Sequence, residues 1–129
     1  MAKVTVRGLG ASPGKARGAL VLSVAKARLL APLEPVIVVL RDCRSEDARV
    51  LTEAAALVTV HGGVTGHGAI IARATGKPCI VACRALDPRP GEGELVVRPE
   101  GGTPLTLHEG DVIEVDGAKG LVHCDEPIA

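Results

Sequence analysis

One stretch constrains this fold more than any other. In His61–Cys83, HGGVTGHGAIIARATGKPCIVAC, a glycine turn, a histidine, a short helical segment and an apolar strand follow one another directly. Ala56–Val60 precedes it as an apolar strand. Further upstream, Val36–Leu40 is an aliphatic run of the kind found in strands covered on both faces. Between these two runs a helix is expected over Glu46–Ala55, with Ser45 as its cap and acidic Glu46 and Asp47 in its first turn. Strands alternating with helices imply a mainly parallel sheet. They also place the histidine turn at the carboxyl end of a strand, the edge where ligands sit in open α/β sheets.

Within the turn, Gly62 and Gly63 give the backbone freedom without side-chain bulk. Thr65 offers a hydroxyl suited to capping a helix over Gly66–Thr75, which Gly76 ends and Pro78 cannot continue. His67 then lies in the first helical turn, beside amides with no intrahelical partner and at the positive end of the helix dipole. An anion is stabilised there. That setting suits attack by an imidazole nitrogen on a phosphoryl group, since the product brings phosphate charge to the helix end. On the residues alone, a polar surface or capping histidine fits the same pattern.

The flanks are β-rich. Lys3–Gly10 alternates as a first strand with Val4 and Val6 on one face, interrupted by Gly8 and Gly10. Ser12-Pro13-Gly14 is a turn and Ala19–Val24 resumes as a strand, followed by a partly helical connection over Ala25–Pro35. After Arg84, the Pro- and Gly-rich segment Asp87–Gly93 is expected to be a surface loop. Short strands follow at Glu94–Arg98, Leu105–Leu107, Asp111–Asp116 and Gly120–Cys124, the last two joined by a hairpin at Asp116–Gly120. The residues by themselves describe a mixed α/β domain.

Composition narrows the function classes. The 129 residues suit one domain and contain no Phe, Tyr or Trp, so the core must be aliphatic and no base-stacking platform exists. Lys plus Arg numbers 15 against 15 Asp plus Glu, without long blocks of either sign, which disfavours nucleic-acid or polybasic membrane binding. No signal peptide or membrane-length apolar run is visible, so a cytoplasmic protein is expected. Cys43, Cys79, Cys83 and Cys124 are then read as free, small, buried residues. Period two puts Cys79 and Cys83 on one face of their strand. Together with His61, His67, His108 and His123 they match no compact zinc-finger spacing, and no metal site is expected.

Three blocks carry a family resemblance. Gly8–Gly18, GLGASPGKARG, looks like an opening glycine loop; Gly62–Arg73, GGVTGHGAIIAR, like an active-site signature; Glu109–Val122, EGDVIEVDGAKGLV, like a closing hairpin. In this order, and over nearly the whole chain, they resemble the phosphohistidine swivelling domain of the phosphoenolpyruvate-utilising enzymes: pyruvate phosphate dikinase, phosphoenolpyruvate synthase and Enzyme I of the sugar phosphotransferase system. The resemblance implies an α/β fold of three layers, β/β/α, spanning residues 1–129. It also implies phosphorylation of His67, with Gly63, Thr65, Gly66 and Arg73 as phosphate-binding or positioning residues. The chain would be a phosphoryl carrier, the transferase component of a larger kinase system. Separate phosphoenolpyruvate-binding or ATP-binding partner subunits would supply the phosphoryl group and Mg²⁺, and no cofactor would be bound by this chain.

The chain departs from the family pattern beside the histidine. Gly66 and Gly68 stand where Ser or Cys and then Ala are usual, which leaves Thr65 as the side-chain donor to phosphate and weakens the helix start by about 1 kcal/mol per glycine. These glycines keep a second reading open, a non-catalytic binding or regulatory module with the same fold. Arg73, six residues beyond His67, either binds incoming phosphate or orients the helix through an acidic partner. Lys77 reads as a helix-terminal surface charge and His61 as a structural or surface residue near the turn. The swivelling domain uses up all 129 residues, leaving no room for a nucleotide or phosphoenolpyruvate domain. Met1 with its short lead into the first strand reads as a natural start, with an excised piece of a longer enzyme as the alternative.

Overall fold

The computed structural model describes residues 3–125. The chain opens with three strands, β1 (Lys3–Arg7), β2 (Leu9–Ser12) and β3 (Lys15–Val21). Helix α1 (Val24–Leu30), strand β4 (Val36–Leu40), a 3₁₀ turn over Asp47–Thr52 and strand β5 (Ala56–Thr59) follow. Helix α2 (His67–Thr75) leads to β6 (Cys79–Val81). Five short strands close the chain: β7 (Leu86–Arg89), β8 (Glu94–Val97), β9 (Leu105–His108), β10 (Val112–Asp116) and β11 (Leu121–Asp125).

Eight strands form one sheet in the order β1-β11-β10-β3-β4-β5-β6-β2, parallel from β3 to β6 and antiparallel elsewhere. Its two edge strands, β1 and β2, are separated in sequence by Gly8 alone, so the sheet must roll until its edges meet. The β1–β11 and β3–β10 ladders each run one pair further, with the Gly8 N–H donating to Gly120 O at 2.8 Å and the Gly117 N–H to Gly14 O at 2.7 Å, and this brings the turn between β10 and β11 against β2 to form the seam. A Cβ on Gly10 would overlap the Gly117 carbonyl, and one on Gly120 would lie 2.6 Å from the Gly8 carbonyl, so side chains are excluded from the seam.

The parallel strands bury both faces, which explains their unbroken aliphatic runs. Val36, Val38 and Leu57 face α1, α2 and the 3₁₀ turn, packing with Ala27, Leu51 and Ala72. Ile37, Val39 and Val58 face the opposite way, towards Ile113, Val115 and Val122 of the rolled-over strands. Leu95 and Leu107, from the separate three-stranded sheet β7-β8-β9, complete that second core. The layers are therefore helices, parallel strands, and antiparallel strands, as the β/β/α expectation requires. No helix among the described residues is long and apolar enough to cross a membrane.

Several local expectations change. The segment expected as an α-helix over Glu46–Ala55 is the 3₁₀ turn Asp47–Thr52, and Ser45 does not cap it; Glu46 occupies the cap position without a side-chain bond. Instead the Asp47 carboxylate accepts from the Arg44 N–H at 3.2 Å, while Asp47 and Ala48 both donate to Arg44 O, which tightens the first turn. The strand expected over Ala19–Val24 is β3, which begins at Lys15 because pairing with β10 extends it, and ends at Val21 before α1. Asp87 and Pro88 are not loop residues but belong to β7, an edge strand of the small sheet, where a proline costs no ladder hydrogen bond.

Cys79 and Cys83 do not share a face: Cys79 packs on the helix side and Cys83 in the opposite core. The strand ends at Val81, and Ala82 takes φ 52°, which reverses the side-chain alternation. None of the four cysteines is in a disulfide; Cys79, Cys83 and Cys124 are buried and Cys43 half-buried.

Candidate functional site

Strands β4 and β5 deliver the site, at their carboxyl ends as the alternating pattern demanded. Beyond β5 the chain stays tied to its neighbour: Val60 N–H donates to Leu40 O at 3.0 Å and His61 N–H to Arg41 O at 2.9 Å. The Thr59 hydroxyl donates to His61 O at 2.6 Å. Gly62 then turns the chain with φ 99°, a value open to glycine and strained for other residues. A tight turn closed by the Gly66 N–H on Gly63 O at 3.0 Å leads into α2.

Helix α2 starts at His67, one residue later than expected, with Gly66 as its N-cap in an extended conformation (φ −73°, ψ 167°). This shift strands Thr65 one position too early to cap, and the residue that does occupy the cap has no side chain to offer. The first bond of the helix is Ile70 N–H to Gly66 O at 3.0 Å, so the amides of His67, Gly68 and Ala69 have no intrahelical acceptor. Those amides and the helix dipole act on the space beside His67, which is exposed. At the other end Gly76 adopts φ 71° and Lys77 N–H returns to Ala72 O at 2.9 Å, the expected stop.

The sequence-designated residues are brought together unequally. His67, Gly63 and Gly66 line one small cleft together with His61, Thr59 and Cys43. Thr65 is exposed. Arg73 stands apart: its Nη1 donates to the Ala11 carbonyl at 2.8 Å, tying α2 to β2. That contact falls on a backbone carbonyl rather than on the acidic side chain expected. Six residues along a helix also carry Arg73 about 9 Å and about one and two-thirds turns beyond His67.

Gly68 has a packing explanation. A Cβ there would lie 2.8 Å from Leu57 Cδ2 and 3.1 Å from Cys43 Sγ, so the helix N-terminus sits directly on β5 and on the Cys43 wall. Burial, and secondarily the nearby Asp47 carboxylate, push the Cys43 thiol up to about 11, so this wall is uncharged at neutral pH. Cys43 and Thr59 are the residues the motif reading missed. A signal for Thr59 existed in its position as a polar residue inside an apolar strand; Cys43 had none, since it comes from a different strand end.

A family model described as "PEP-utilising enzyme, mobile domain" matches residues 32–120. The chain belongs to this family. It is 34% identical over 119 residues to pyruvate, phosphate dikinase of Rickettsia typhi, which covers 92% of this chain and 13% of that enzyme. The corresponding enzyme of Rhizobium meliloti is 36% identical over 118 residues, covering 89% of this chain and 12% of the relative. The chain therefore spans about an eighth of the length of these relatives. Among solved structures, holo aconitase X of Thermococcus kodakaraensis shares the fold at TM-score 0.52 with 16% identity, over 95% of this chain and 98% of that one.

Proposed function

We propose that this mobile domain is a phosphoryl carrier that works through His67. The observation that carries the reading is the exposure of His67 at the N-terminus of α2, just beyond the carboxyl end of β5 and beside helix amides that have no intrahelical acceptor. One imidazole nitrogen forms the N–P bond as the donor's P–O bond breaks, and the donor oxygen keeps the electron pair. The reverse transfer passes the group to an acceptor. Gly63, Thr65 and Gly66 position the phosphoryl group, and Arg73 contributes by fixing the helix that bears His67.

The donor and acceptor, phosphoenolpyruvate with its product pyruvate on one side and a nucleotide on the other, are held by separate domains or subunits. Phosphoryl transfer is mainly positioning and charge stabilisation, so a partner that brings phosphate can bring the remaining groups. Mg²⁺ would come with that partner, bound to the phosphate it brings. Four cysteines outside any disulfide fit a reducing, cytoplasmic setting for this exchange. The packing of Gly68 against Leu57 and Cys43 accounts for one of the two glycines that favoured a non-catalytic module.

The test uses the full chain, labelled phosphoenolpyruvate, and a pyruvate, phosphate dikinase whose own carrier histidine has been replaced. Wild type should acquire an acid-labile, base-stable label that His67→Ala lacks. Equal labelling of the two would overturn the assignment.

A further inference from the structure

The loop that presents His67 is a demanding object: His61 to Thr65 are all exposed, and three of the six residues from 61 to 66 are glycine. Such a segment loses much conformational freedom when ordered, yet phosphoryl transfer requires the nucleophile to be placed to a fraction of an ångström. Three of its fixed points are backbone bonds shared with any chain of this shape: Val60 to Leu40, His61 to Arg41 and Gly66 to Gly63. The fourth comes from a side chain, the Thr59 hydroxyl on His61 O at 2.6 Å. With it, both polar backbone groups of His61 are held just before Gly62 turns the chain.

Thr59 is unusual where it sits. It is 2% exposed, and with Ser12 and Asp116 it is one of three buried polar residues among those described. Val58 and Val60 face the antiparallel layer while Leu57 faces α2, so the alternation of β5 aims Thr59 at the helix side, beneath the cleft that contains His67. A valine would fill the same volume there. What it would lack is the hydrogen bond.

We infer that Thr59 is a positioning residue for the carrier histidine, its hydroxyl clamping the His61 carbonyl so that the glycine loop presents His67 in one geometry. This rests on the carrier reading of His67. Thr59→Val and Thr59→Ser separate the clamp from the volume it fills, with loop hydrogen exchange and labelling kinetics as readouts. In Thr59→Val, amide exchange over residues 61–66 should accelerate about tenfold, while β4–β6 keep their protection. Labelling turnover by the histidine-less dikinase with phosphoenolpyruvate should fall about tenfold at unchanged half-saturation by that partner. Thr59→Ser should restore both.

Wild-type turnover in Thr59→Val, equal loss in both variants, or loss of protection across the whole sheet would each overturn the inference. Should wild type itself acquire no label, the carrier reading fails. The exchange data then still decide whether Thr59 holds the loop.

Discussion

Glycines at the seam of the rolled sheet and glycines before His67 look alike in sequence and act in opposite ways. At the seam, Gly8, Gly10, Gly117 and Gly120 let backbones touch, and a Cβ on any of them would run into a neighbouring carbonyl. In the site loop, a Cβ on Gly63 would meet nothing within 4 Å, and one on Gly66 would meet only the Gly63 carbonyl at 3.3 Å. One set is there for contact and the other leaves space. Gly68, although it adjoins His67, belongs with the seam in kind, because Leu57 and Cys43 occupy the space of its side chain.

Substitutions sharpen this contrast. Gly117→Ala should cost the most, about 3 kcal/mol or more, because its methyl would overlap the Ser12 carbonyl and neither backbone can retreat. A thermal melt should show a fall of roughly 10 °C. Retention of wild-type melting would mean that the rolled sheet does not close through this glycine contact.

Acid should separate the two regions next. Arg41, whose carbonyl holds His61, is paired through its side chain with Asp87, and Arg98 and Arg89 bond the same carboxylate. The Arg41 and Arg98 hydrogen bonds, with Arg89 adding to them, hold the Asp87 carboxyl below the usual carboxylate range. A lowered native pKa means that the stabilisation is complete above the unfolded value, near 4, and is lost as pH falls through the native one. Hydrogen exchange as pH is lowered below 4 should therefore loosen residues 61–66 before the seam, and Asp87→Asn should remove that difference. Simultaneous loosening of both regions in wild type would argue against it.

Gly68→Ala should destabilise by about 1 kcal/mol net, since crowding of Leu57 and Cys43 outweighs the gain in helix propensity. Denaturant titration of Gly68→Ala, alone and with Leu57→Val, should reveal coupling between the two positions. Additive effects would remove the packing explanation. The smallest change is expected from Gly66→Ser: the extended cap geometry accepts a serine, whose hydroxyl should add a few tenths of a kcal/mol. A loss of stability there would show that the cap has no room for a side chain.

What the sequence displayed was what is local. Gly62, His67, Gly76 and Pro78 announce a turn, a helix and a stop because each acts on its own few residues, and β4 was legible residue for residue as an aliphatic run. The cap slipped by one because Thr65 and Gly66 are both admissible there, and only the dihedral angles decide. Closure of the sheet was invisible: nothing within Lys3–Ser12 says that strands one residue apart belong to opposite edges. Pro88 read as a loop residue because proline excludes a central strand, while an edge position depends on partners far along the chain. The same holds for Cys43 and Thr59, which reach His67 from two separate strand ends.

The central claim is that His67 carries the phosphoryl group. Its most direct measurement is phosphopeptide mapping under alkaline conditions after incubation with labelled phosphoenolpyruvate and the histidine-less dikinase. One acid-labile phosphoryl group is expected on the peptide containing His67, absent from His67→Ala. Label on His61, on another side chain, or undiminished in His67→Ala would contradict it.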